Sequence, residues 1–263
     1  MDQEQAVEQV HLSYSQVQEF TQCPKRYHLH RRQGLAPEFV PSGLIFGSAI
    51  HEAIALFHQA RLEGREVDVE ELLAAFSNCW SAEQLPVRYS PGSSEAGLMR
   101  RAKKMLEYYL ANPHCAGEVL AIEEAFSLNL SPDLPPVVGR IDLVERSAEG
   151  HLVVTDFKTA KSRQTPSTDQ LVLYQEAAKG LDRAGNSQVL TRYVVLLKTK
   201  EPEVVVYEPE ITPGQIDRLC RTYLDVWEAI EAGVKHPHTS WWCGSCQWQR
   251  HCDAYEPDLD SMF

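Results

Sequence analysis

Apolar positions recur at two rhythms along this chain, and the rhythm changes near residue 118. Val17, Phe20 and Tyr27 keep helical spacing, with Ser13 or Ser15 placed to cap a helix that runs to about residue 30 and is interrupted at Cys23-Pro24. Ile50, Ile54, Leu56 and Phe57 mark a second helix over 46–61, and the same spacing predicts helices over 69–80 and 94–110. Pro86, Pro91 and Gly92 mark the loop before the last of these. Then Val, Ile and Leu gather in short runs, which predicts strands over 118–130, 137–145 and 151–157. Arg146-Ser147-Ala148-Glu149-Gly150 suits a hairpin loop between the second and third strands. Helical spacing returns over 169–179, strands over 189–198 and 203–207, and a closing helix over 212–232. That order predicts an α/β sheet with a mainly helical N-terminal region (12–112), a sheet core (113–210) and a C-terminal helix followed by a cysteine-rich segment (211–263).

Composition narrows the class. At 263 residues, 43% apolar and 24% charged, the chain can bury one large core and needs no second domain. No apolar run is long enough to span a membrane, and the opening Met1-Asp2-Gln3-Glu4-Gln5 is unlike a secretory signal, so a cytoplasmic protein is expected. A formal charge of −12 argues against a protein that coats nucleic acid through bulk positive charge. Basic residues are nonetheless clumped at 25–32, 100–104 and 158–163, so a basic track on an acidic body is expected, although each run also suits a solvated helix face.

The candidate chemistry lies on the second and third strands. Gly139-Arg140-Ile141-Asp142 and Asp156-Phe157-Lys158 deliver two carboxylates and an amine to one place. Strand alternation puts Asp156 and Lys158 on one face and turns Phe157 into a core. Hydrolysis of a phosphodiester needs a divalent cation to offset charge and acidify water, and hard oxygen ligands suit Mg²⁺ or Mn²⁺. Lys158 is then placed to orient water or stabilise the transition state. An ordinary hairpin with an Asp/Lys pair would give the same local pattern. His51, in Gly47-Ser48-Ala49-Ile50-His51, could point at the metal. Gln170 and Tyr174, four residues apart, share a helix face and could contact phosphate or brace Lys158. Of Glu123 and Glu124 only one can face the aspartates, and the other is expected in solvent.

Seven cysteines without an export signal suggest metal ligation before disulfides. Cys243, Cys246 and Cys252 form a C-x2-C-x5-C cluster, and Cys23 is the candidate fourth ligand, with His251 as an alternative. A four-cysteine zinc site usually shows two C-x2-C knuckles, so one remote cysteine plus a trio fits a [4Fe-4S] cluster better. Cys79, Cys115 and Cys220 are expected as buried small residues.

Taken in order, Leu12 to Ser15, Phe20 to Tyr27, Gly47 to His51, Glu123 with Phe126, Gly139 to Asp142, Asp156-Phe157-Lys158, Gln170 to Tyr174 and the cysteine trio resemble a known family. It is the RecB-type branch of the PD-(D/E)XK nucleases, which includes iron-sulfur exonucleases similar to the AddB nuclease domain and the CRISPR-associated adaptation nucleases. The resemblance covers nearly the whole chain. It implies a restriction-endonuclease-like core, a central mixed sheet flanked by helices. It implies that His51, Asp142, Asp156 and the Phe157 carbonyl bind Mn²⁺ or Mg²⁺, that Lys158 is the catalytic lysine, and that Glu123 belongs to the site. Gln170 and Tyr174 would support DNA and the active site, and the four cysteines would hold a [4Fe-4S] cluster. No Pro precedes Asp142, a departure the branch tolerates.

The expected function is a DNA exonuclease acting on single strands or ends in DNA repair, recombination or CRISPR-linked processing. No G-x-x-x-x-G-K-[ST] loop is present, so any unwinding would come from a helicase partner; an integrase is the other expected partner. The rivals are a nucleic-acid-binding scaffold that cuts nothing and a zinc-stabilised regulatory protein.

Overall fold

The computed structural model describes residues 10–181, 184–185 and 187–254. The acidic opening at residues 1–5 and the last residues of the 211–263 segment lie outside this set.

Helix α1 (Tyr14–Gln22) begins at Ser13, whose hydroxyl accepts from the Gln16 amide at 3.2 Å. Pro24 then ends the helical hydrogen-bond run, because it has no amide hydrogen and disfavours helical geometry in the residue before it; Cys23 is extended at φ −161°. The chain restarts as α2 (Pro24–Tyr27) and a π-turn (His28–Arg32), so the interruption expected at Cys23-Pro24 divides three segments. The two-residue strands β1 (Val40–Pro41) and β2 (Val87–Arg88) pair in parallel around α3 (Ser42–Glu63) and α4 (Val69–Ser81). Helix α3 starts four residues earlier than its apolar spacing indicates and ends on Gly64 at φ 69°, the left-handed geometry that glycine adopts without penalty. In α4, Asp68 and Glu71 satisfy each other's backbone amides in a capping box. Helix α5 (Glu95–Ala111) is capped by Ser94.

The sheet comprises β3 (Gly117–Leu128), β4 (Val137–Ser147), β5 (Leu152–Ala160), β6 (Val189–Leu197) and β7 (Glu203–Tyr207), in that spatial order. Its pairs are antiparallel except β5 with β6, which need the crossover helix α6 (Asp169–Lys179) to run parallel. Helix α7 (Pro213–Glu231) closes the fold, followed by 3-10 turns at Trp241–Ser245 and Gln249–His251. The result is the α/β sheet that the order of elements predicts, in the mixed, helix-flanked form that the resemblance implies.

Each face of the sheet has its own core. Leu12, Val17 and Phe20 join Val144, Val154, Val172, Leu219 and Tyr223 on the face covered by α1, α6 and α7. Phe46, Ile50, Ile54, Leu72, Phe76 and Leu106 join Leu143, Phe157 and Val194 on the face covered by α3, α4 and α5. Burying such side chains contributes about 1.5–3 kcal/mol each. Among the described residues, no helix is long and apolar enough to cross a membrane.

Candidate metal centre

The pairing of β4 with β5 ends at Leu143 and Thr155, so the strands part where Asp142 and Asp156 stand opposite one another. Asp142 occupies the gap: its Oδ2 accepts from the Phe157 amide at 2.8 Å, in place of the backbone acceptor that a continuing ladder would supply. Amide and carbonyl of one strand residue point the same way, so the Phe157 carbonyl also faces this gap, where it meets the His51 ring. His51 comes from α3 on the other side, its Nδ1 3.4 Å from Asp142 Oδ2. The Phe157 side chain is buried in the core against His51, His58 and Tyr109, the orientation that strand alternation requires.

Asp156 is 1% exposed. Lys158 Nζ lies 2.8 Å from its Oδ2 as an ion pair, and beyond that ammonium the buried oxygen has no hydrogen-bond donor. The ammonium also donates to Gln170 Oε1 at 2.9 Å, and Gln170 Nε2 donates to the Tyr174 hydroxyl at 2.8 Å. The two α6 residues therefore brace Lys158 as a relay. Burial pushes the Asp156 carboxyl up to about 7, against the pull of Lys158, with Asp142 adding to the rise. Burial likewise takes Asp142 up to about 6, opposed by the Phe157 amide and Lys158. His51 is shifted down, chiefly by burial.

Glu123 stands across from Asp142, between the pairs Ile122–Leu143 and Glu124–Ile141. Its φ is 52°, a left-handed conformation that a residue with a Cβ rarely adopts, and its carboxylate lies 3.6 Å from Arg140. Glu124 is half-buried and not open to solvent as expected. Two residues that the apolar pattern hid also belong here. Tyr193 on β6 pairs with Asp156 and holds its ring 5.7 Å from Lys158 Nζ. Tyr14, on α1, has its hydroxyl pushed up to about 12 by burial, with Asp169 and Asp156 adding to the rise.

This donor set fits a divalent cation. One imidazole, two carboxylates and a carbonyl offer nitrogen and oxygen alone, and a hard cation would offset the two buried carboxylates that one lysine ammonium faces. A second group, His58, Cys115 and Glu145, also brings three ligand atoms within 4.8 Å of one another. It does not fit a cation, because Arg61 and Arg192 each approach a Glu145 oxygen at 3.0 Å and fill the site with positive charge. His58 is pulled down to about 3, by burial first and then by those two guanidiniums.

Cys23, Cys243, Cys246 and Cys252 line a common cavity, although they come from opposite ends of the chain. The His238 amide donates to Cys23 Sγ and the Ser240 amide to Cys243 Sγ, both at 3.5 Å. His251 is exposed and does not line that cavity. Cys79, Cys115 and Cys220, expected in the interior, are half-buried.

A family model described as the PD-(D/E)XK nuclease superfamily matches residues 11–253. The chain is similar in fold to the crystal structure of a candidate exonuclease from Eubacterium rectale, with a TM-score of 0.57 and 11% identity over 99% of this chain and 97% of that chain. Likeness to the structure of SSO0001 is weaker, with a TM-score of 0.35 and 15% identity over 88% of this chain and 94% of that chain, and supports no argument. No curated protein matches.

Proposed function

Because the chain belongs to the PD-(D/E)XK nuclease superfamily, we propose that it is a metal-dependent DNA exonuclease of the RecB-type iron-sulfur branch, working on single strands or DNA ends. The observation that carries this reading is the buried Asp156 carboxylate gathered with Asp142, His51 and Lys158. Bound Mg²⁺ or Mn²⁺ would offset phosphate charge and acidify the attacking water. His51, Asp142, Asp156 and the Phe157 carbonyl are the residues that would hold it.

Lys158 does the chain's own work. Anchored by Gln170 and drawn to Asp156, its ammonium is held where it can orient water and stabilise charge developing on the phosphate. Water attacks phosphorus, the bond to the 3′-oxygen breaks, and the product carries a 5′-phosphate. Tyr174 fixes the far side of the Gln170 amide, so its loss should loosen the lysine without removing a ligand.

Cys23, Cys243, Cys246 and Cys252 line one cavity and are the four thiols that would hold a [4Fe-4S] cluster. Anaerobically purified protein should be brown; colourless, zinc-loaded protein would overturn this assignment.

The decisive test uses linear and circular single strands with Mg²⁺ or Mn²⁺. Linear DNA should shorten from an end to 5′-phosphorylated products, and Asp156→Ala and Lys158→Ala should abolish the loss. Equal cutting of the circle would overturn an exonuclease, and intact DNA in every lane would leave a binding scaffold. The pathway, repair and recombination or CRISPR-linked processing, would follow from which partner co-purifies, a helicase or an integrase.

A further inference from the structure

Most basic side chains in this acidic protein are matched by carboxylates. In the first basic run Lys25 pairs with Asp253, Arg26 and Arg31 with Glu19, and Arg32 with Glu231; near the site, Arg163 pairs with Glu203. In that run, expected as part of a basic track, four cations share three carboxylates, so most of its charge is offset where it stands. Lys198, Lys161 and Arg101 are among the described cations that form no ion pair.

These three cations come from separate stretches and act on one another. Strand β6 ends beside β5, with the Lys198 amide donating to the Ala160 carbonyl at 2.7 Å, and Lys161 follows directly. Half-buried Lys198 places its ammonium 5.4 Å from the Phe46 ring at the start of α3. Arg101 lies on α5, and its charge acts on the Lys198 ammonium. The Lys198 ammonium is shifted down by burial first, then by Lys161 and Arg101, and no carboxylate offsets them. Like charges gathered this way destabilise the folded chain unless an anion joins them. In a protein with a net charge of −12, such a gathering calls for a function.

Its position supplies one. Lys161 lies three residues beyond Lys158, and Phe46 lies five residues before His51 on α3. A Cβ on Gly47 would sit 3.6 Å from Thr159 Oγ1, so α3 and the end of β5 are in close contact between the cations and the metal ligands. We propose that Lys198, Lys161 and Arg101 form a phosphate-binding track that holds the nucleic-acid backbone beside the cutting centre. This rests on the nuclease reading above. It unites two of the three basic runs seen in the sequence and leaves out the third.

The test measures binding by full-length protein to a labelled single strand, with Ca²⁺ present to suppress cutting, over a range of salt. Arg101→Ala with Lys161→Ala should weaken Kd several-fold. The slope of log affinity against log salt should fall by about 0.7 for each cation removed. Lys198→Gln should add a further decrement. The double variant should melt no lower than wild type, since repulsion is relieved, and Arg32→Ala should bind like wild type. A double variant with wild-type Kd and salt slope overturns the track, as does an equal loss in Arg32→Ala. Wild-type protein that neither binds nor cuts DNA overturns the nuclease reading itself.

Discussion

At the level of single residues, the site stores free energy in two ways that experiment can separate. The first is protonation. Asp142 and Asp156 are raised from 3.8 to about 6 and about 7 by burial, so between those values the folded state holds protons that the unfolded chain has released. Stability must then fall as pH rises through that window, because the native state binds the extra protons. Metal-free protein should lose a few kcal/mol between about pH 4 and pH 7, read from urea melts. Saturating Mn²⁺ should reverse the trend by replacing the protons, and Asp156→Asn should flatten it. A metal-free profile independent of pH would show that these carboxylates are not buried as a pair. The second store is backbone strain at Glu123, with φ at 52°. Glu123→Gly should relieve about 1 kcal/mol and raise the melting temperature by a few degrees while slowing cleavage. A lowered melting temperature would mean that the Arg140 contact outweighs the strain.

Among the elements, one close contact links strand packing to the catalytic lysine. A Cβ on Gly139 of β4 would fall 2.6 Å from the Phe126 ring of β3, and that ring packs edge-on against Tyr174 at 5.8 Å. Tyr174 in turn holds Gln170, which holds Lys158. Gly139→Ala should therefore cost about 1–3 kcal/mol by overpacking. It should also lower kcat through displacement of the relay, although residue 139 touches no reacting group. Phe126→Leu in the same chain should restore both; failure to restore kcat would break the link. The relay also shows which parts were legible beforehand. Gln170 and Tyr174 share a face of a regular helix, and Asp156 and Lys158 share a face of a strand, so local periodicity was enough to pair them, while their roles came from the family resemblance. Tyr193 lies inside an apolar run and meets Lys158 through the parallel register of β5 with β6, which local spacing does not encode. Arg61, Glu145 and Arg192 come from three elements, and their network is hidden for the same reason. The restart of helix after Cys23 was legible because Pro24 sits at a first helical position, where proline is tolerated, and the apolar spacing continues; the π-turn that follows was not.

For the molecule as a whole, the question is how its two ends control a site built from its middle. The C-terminal segment is held to the N-terminal helices by more than cysteines: Trp248 Nε1 donates to the Leu35 carbonyl and Gln247 Nε2 to the Phe39 carbonyl, both at 2.8 Å. Arg26 and His30 pack on the Trp248 ring at 5.5 and 4.6 Å. These contacts should keep the ends docked when the proposed cluster is lost, but less firmly, since the covalent link from Cys23 to the trio is gone. Helix α1, directly before Cys23, carries Tyr14 against the acidic centre, so slackness in the staple reaches the site through α1 and not through the metal ligands. Cys246→Ser should accordingly speed hydrogen exchange over residues 14–32 and 236–254 and leave β4 and β5 protected. Mn²⁺ affinity, measured by calorimetry, should change little while DNA turnover falls. Loss of Mn²⁺ binding in that variant would place the staple within the metal site, and unchanged exchange at both ends would show that the tryptophan and glutamine contacts suffice without it.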